Sequence, residues 1–125
     1  MPIGTSSMLR PLPGRLDDFI SRLGDSKRIM EKAGAKVSFY RMVAGSESEG
    51  VLYVSEVEDW DAYAKCAKKI EADKDWEALD RLSANDPAAE MLSTGILQEF
   101  KVFPMRIKRL LISAQNIIGK HIKPA

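Results

Sequence analysis

Residues 35–44, AKVSFYRMVA, and 51–57, VLYVSEV, flank the polar, glycine-bounded stretch GSESEG, and both are rich in Val, Phe and Tyr. That composition suits a pleated surface, and the polar stretch suits a hairpin loop. Side chains alternate across a strand, so the pattern also reports what each face meets. Val37, Phe39 and Val43 fall on one face of the first strand, Tyr40 and Met42 on the other. In the second, Val51, Tyr53 and Val57 alternate with Leu52 and Val54. A sheet wetted on one side would carry polar residues on one set. This hairpin is apolar on both, which demands cover on both. One layer of helices from a 125-residue chain covers one face, so a partner subunit is expected for the other.

The remaining segments supply that helical layer. In PGRLDDFISRLGDSKRIMEKAG the residues Leu16, Phe19, Ile20, Leu23, Met30 and Ala33 recur at helical steps, with Asp17 and Asp18 at the start and Gly34 at the end. Gly24 is a candidate bend. EDWDAYAKCAKKIEA is a second helix with Asp59 as N-cap, and DKDWEALDRLSA continues it after a break. TSSMLRPL reads as the first strand, NDPAAEMLSTG as a connector with one helical turn after Pro87, and ILQEFKVF as the last strand. The order is β-α-β-β-α-β, with the second helix in two pieces. This is the α+β, ferredoxin-like arrangement: two helices on one face of a four-stranded antiparallel sheet.

Totals exclude more than they select. A net charge of +1 argues against whole-surface attraction to nucleic acid. The single cysteine, Cys66, cannot form an internal disulfide, and the single histidine, His121, cannot build a histidine metal cluster. No Walker, dinucleotide or nucleophile-elbow glycine pattern occurs, and EDWD and DKD lack the spacing of a calcium loop. They are better explained as helix-start acids. No cofactor or metal is implied. The first residues lack the apolar core of a signal peptide, and no apolar run approaches the ~20 residues of a membrane span, so the cytoplasm is the expected compartment.

In that order, LRPLPGRLDDF, EKAGAKVSFYRMVAG, GVLYVSEVEDWDAYA and ADKDWEAL resemble segments of the dimeric α+β barrel superfamily, above all its NIPSNAP-like and otherwise uncharacterised members. The resemblance runs from about Thr5 to Phe103. It implies that two subunits pair through the open faces of their sheets, and that a small apolar or aromatic ligand sits in a cleft between sheet and helices. Relatives include cofactor-free monooxygenases and haem-degrading enzymes. Their usual histidine, asparagine or tryptophan cluster has no counterpart on the strands here, so neither mechanism carries over residue by residue.

With such a cleft in view, Arg10, Tyr40, Arg41 and Tyr53 are the polar groups on or beside strands, and Trp60 stands at a strand-to-helix junction. Tyr40 and Tyr53 would orient a phenolic or anionic ligand while Arg41 or Arg10 balances its charge. The plainer reading makes the tyrosines packing rings, pairs the arginines with Glu56 or Glu99, and places Trp60 and Trp76 in the core. Cys66 reads as a small buried hydrophobe.

The last 25 residues hold six of the 19 basic residues and none of the 18 acids, leaving 13 basic against 18 acidic residues upstream. After Pro104, Ile107, Leu110, Leu111, Ala114, Ile117 and Ile118 share one helical face. A short helix in water does not keep such a face exposed. Its preferred cover is the acidic body of the same subunit or its mate, with an anionic membrane surface second and nucleic acid last, since aromatics for base stacking are missing. The sequence thus divides into an α+β barrel domain, 1–103, and an amphipathic helical extension, 104–125. The expected function is a homodimer that binds a small hydrophobic or aromatic molecule, with cofactor-free catalysis open. The alternative is a non-catalytic interaction module that docks through its basic tail.

Overall fold

The computed structural model describes residues 2–45 and 49–100. Its elements are β1 (Ile3–Pro11), α1 (Leu16–Lys32), β2 (Lys36–Arg41), β3 (Val51–Val57), α2 (Trp60–Glu71), α3 (Lys74–Asn85) and β4 (Ala89–Gln98). The strands form one antiparallel sheet in the order β2-β3-β1-β4. This is the expected ferredoxin-like architecture, with the second helix divided as the sequence indicated. The proposed extension, 104–125, lies outside the described residues.

Local chemistry accounts for the element boundaries. Along α1, Phe19, Leu23, Ser26 and Ile29 are buried at steps of three and four, and Asp17 and Asp18 occupy the positive first turn. Gly24 does not interrupt the helix. The C-terminus closes where Gly34 takes φ +107°, with Gly34 N–H donating to the Glu31 carbonyl and Ala35 N–H to that of Met30. This double hydrogen bond needs a left-handed residue, which glycine supplies without steric cost. Asp59 caps α2 by accepting from Ala62 N–H at 2.8 Å. Asp73 caps α3 by accepting from Asp75 and Trp76 N–H at 2.8 and 3.0 Å.

The last strand departs from the sequence expectation. It begins at Ala89, so AEMLSTG is strand rather than connector, and no helical turn follows Pro87. Pairing with β1 decides this: Pro11 faces Ala89, Leu9 faces Met91 and Ile3 faces Gln98. A register shift opposite Met8 and Leu9 leaves Leu92 as an extra residue, a β-bulge. Ala, Glu and Met have little intrinsic strand preference, and the ladder with β1 overrides it. The expected strand residues 101–103 lie outside the described set.

Among the described residues, helices cover one sheet face only. That face carries Val37 and Phe39 of β2, Tyr53, Ser55 and Val57 of β3, and Thr5, Ser7 and Leu9 of β1. The opposite face carries Tyr40, Leu52, Val54 and Leu97, and among the described residues no element packs over it. Tyr40 is 58% exposed and Leu97 52%. The apolar interior is split in two. Phe19, Leu23 and Ala88 form one cluster, with Leu9, Phe39, Val51, Tyr53 and Ala89 against it. Ala33, Ala35 and Cys66 form the other, with Met30, Val57 and Ile70.

Candidate ligand-binding cleft

Residues of both clusters wall a cleft of about 860 Å³ between sheet and helices. Helix α1 contributes Leu23, Ser26 and Met30, while α2 and α3 contribute Tyr63, Cys66, Ile70, Trp76 and Leu79. These walls are mainly apolar. The floor is not.

Strand alternation brings five hydroxyls up from the sheet. Thr5 and Ser7 lie two apart on β1, Tyr53 and Ser55 two apart on β3, and Thr94 is on β4. Register then sets them side by side: Thr5 opposite Ser55, and Ser7 between Tyr53 and Thr94. Thr5 Oγ1 and Ser55 Oγ share a short hydrogen bond, and Ser7 Oγ lies 3.1 Å from Thr94 Oγ1. The Tyr53 hydroxyl lies 2.7 Å from Ser26 Oγ of α1. Phe39 meets the Tyr53 ring edge-on at 5.2 Å and fixes its plane. Each hydroxyl carries one proton and two lone pairs, and each pair spends one proton on its mutual bond. The other proton and the spare lone pairs remain for a bound molecule.

Neither buried titratable group in the cleft is poised as a nucleophile. Burial pushes the Cys66 thiol above its ordinary pKa, against a smaller lowering by Lys69, and so keeps it protonated at neutral pH. Burial likewise raises Tyr53, against the opposing hydrogen bond from Ser26. Tyr53 is therefore a neutral hydrogen-bonding group. Among the described residues no three His, Cys, Asp or Glu side chains group to hold a metal.

Beside the cleft, ion pairs join α1 to the α3–β4 junction. Asp86, at the α3–β4 junction, takes Arg15 in a two-pronged pair, Nη1 to Oδ1 at 2.6 Å and Nη2 to Oδ2 at 2.9 Å. Arg22 of α1 donates to the same residue, Nη1 to its carbonyl at 2.6 Å and Nη2 to Oδ2 at 3.2 Å. The Arg15 hydrogen bonds hold the Asp86 carboxyl below the usual carboxylate range.

Of the five residues singled out from sequence, only Tyr53 lines this cleft. Tyr40 alternates with it onto the uncovered face, and Arg10, also on that face, pairs with Glu90 at 2.8 Å rather than with Glu56 or Glu99. Arg41 is exposed at the end of β2. Trp60 is 52% exposed at the start of α2, its ring edge-on to Tyr63 with centroids 5.7 Å apart. The structure therefore does not assemble Arg10, Tyr40, Arg41, Tyr53 and Trp60 into one site. Trp76, which the sequence leaves between core packing and cleft lining, lines the cleft. Sequence reasoning passed over Thr5, Ser7, Ser26, Ser55 and Thr94. Their signal was present: Ser55 interrupts an apolar alternation between Tyr53 and Val57.

No protein-family model matches the sequence, and neither does any curated protein. Solved structures do match. An uncharacterised NIPSNAP domain protein from Burkholderia xenovorans superposes with a TM-score of 0.61 at 16% identity, over 83% of this chain and 99% of that one. A putative antibiotic biosynthesis monooxygenase from Bordetella bronchiseptica gives 0.56 at 16%, over 80% and 98%. SnoaB, a cofactor-independent oxygenase from Streptomyces nogalater, gives 0.57 at 9%, over 82% and 97%. At such identities the likeness is one of fold. The chain shares the ferredoxin-like fold of these NIPSNAP and monooxygenase structures.

Proposed function

We propose that this chain binds a small hydrophobic or aromatic molecule between its sheet and helices, as a homodimer joined through the uncovered sheet face. The observation that carries the reading is the cleft itself: a space of about 860 Å³ with apolar walls and a hydroxyl floor, the pattern of a small-molecule site. Pairing through Tyr40, Leu52, Val54 and Leu97 would give the second sheet face the cover that its apolar residues require. Native mass spectrometry of the purified protein tests the binding, together with melting curves against a panel of bicyclic aromatics. A retained small molecule or a raised melting temperature is expected. Ligand-free mass with melting unmoved across the panel would sink the reading.

Catalysis is the second layer of the proposal. The fold shared with a cofactor-independent oxygenase makes molecular oxygen the co-substrate to test, by following oxygen consumption with each aromatic that binds. The competing reading, an interaction module, is favoured by the acid-free amphipathic tail. Cutting the chain after Phe103 separates the two: ligand binding survives under the first reading, and partner or liposome association is lost under the second.

A further inference from the structure

The cleft has a charge character as well as a shape. Among the described residues, four side chains of charged type line it: Arg22, Glu71, Glu77 and Asp80. Arg22 is already committed, its two terminal nitrogens donating to the carbonyl and carboxylate of Asp86, and its side chain is only 14% exposed. Glu77 is matched by Arg81 at 2.7 Å. Glu71, at the end of α2, and Asp80, within α3, have no ion-pair partner among the described residues. Among the described residues the α2–α3 wall thus presents two uncompensated carboxylates, and no uncompensated cation lines the cleft. The other polar groups lining it are neutral: the hydroxyls of the floor and, on the helices, Ser26, Tyr63, Cys66, Trp76 and Ser83.

We propose that the cleft selects uncharged or positively charged hydrophobic molecules that carry hydroxyl or carbonyl groups, and rejects carboxylates. This rests on the small-molecule reading above and specifies its ligand class. An apolar body meets Leu23, Met30, Ile70 and Trp76. A ligand oxygen or nitrogen exchanges hydrogen bonds with the spare protons and lone pairs of Ser7, Tyr53 and Thr94. A ligand carboxylate would lose part of its water, find no free cation among the described residues, and be repelled by Glu71 and Asp80 at the solvent-facing side of the cleft. The arginine-balanced anion expected from the sequence has no counterpart here, because Arg10 and Arg41 stand outside the cleft and Arg22 is occupied.

Three probes with one naphthalene body test this: 2-naphthol, 2-naphthylmethylamine and 2-naphthoate, titrated into the full-length protein at neutral pH by calorimetry. The alcohol and the amine should bind at least about tenfold tighter than the carboxylate, and added salt should narrow the gap for the charged pair. The double variant Glu71→Gln/Asp80→Asn should weaken the amine and strengthen the carboxylate while leaving the alcohol unchanged. Both residues are exposed, so the fold should tolerate the change. Naphthoate binding as tightly as naphthol would overturn the charge selection and leave the cleft a ligand site. Equal affinities in the double variant and the parent would overturn the assignment to Glu71 and Asp80. Failure of all three probes to bind would remove the small-molecule reading and this inference with it.

Discussion

The Tyr53 hydroxyl and Ser26 Oγ meet at 2.7 Å, joining the sheet floor to helix α1 across the cleft. The contact locks the ring against Phe39 and leaves the phenol one further hydrogen bond to offer. Tyr53→Phe removes both. The variant should lose about 1 kcal/mol of stability in urea unfolding, and several-fold in affinity for an oxygen-bearing aromatic. Affinity for a pure hydrocarbon such as naphthalene should be unchanged, which separates the hydroxyl from the ring.

Tyr53 also sets an alkaline limit. Its folded pKa is raised by burial above the ordinary 10.0, so the folded state disfavours the phenolate. The stability tied to the neutral phenol is fully present below pH 10 and is lost as pH climbs through the raised value. Alkaline melting curves should fall more gently for Tyr53→Phe than for the parent. Identical slopes would contradict the assignment.

Asp86 sets the acid limit. Its depressed carboxyl contributes stability above the ordinary value of 3.8, and that contribution fades as pH falls from there through the folded value. Asp86→Asn should melt lower than the parent at neutral pH, and the difference should shrink on acidification below that point. A gap that stays constant with pH would mean that the two-pronged pair with Arg15 contributes nothing.

The caps give an independent check on the divided helix. Asp73→Ala removes the acceptor for two N–H groups of α3 and should cost about 1 kcal/mol, as should Asp59→Ala at α2. Both should lower ligand affinity, because α2 carries Tyr63, Cys66 and Ile70 into the cleft and α3 carries Trp76 and Leu79.

On the uncovered face, Val54→Asp places a charge among Tyr40, Leu52 and Leu97. Light scattering should report the mass of two chains for the parent and of one for the variant. A parent that scatters as one chain at micromolar concentration would end the dimer proposal.

The architecture could be read from the sequence because its signals are local. Periodicity in α1, the Asp59 cap, Gly34 and the doubly apolar hairpin each act within a few residues. What escaped was decided at a distance. The start of β4 depends on a ladder with β1 some 80 residues earlier, which outweighs the poor strand preference of Ala-Glu-Met. The site escaped for the same reason: Thr5, Ser55 and Thr94 are unremarkable alone and become a floor only when three strands come into register. Tyr40 and Tyr53 look equivalent in sequence, yet alternation and the pairing of Tyr40 with Leu52 and Phe39 with Tyr53 send them to opposite faces.

Helix α3 has no buried residue, yet it supplies one wall of the cleft and is anchored at its far end by Asp86. Its amides should therefore exchange well before those of α1, whose Phe19, Leu23 and Ile29 are buried. A ligand that fills the cleft would slow α3 selectively. Protection there would then serve as an occupancy meter for the proposed site, whatever the optical properties of its ligand.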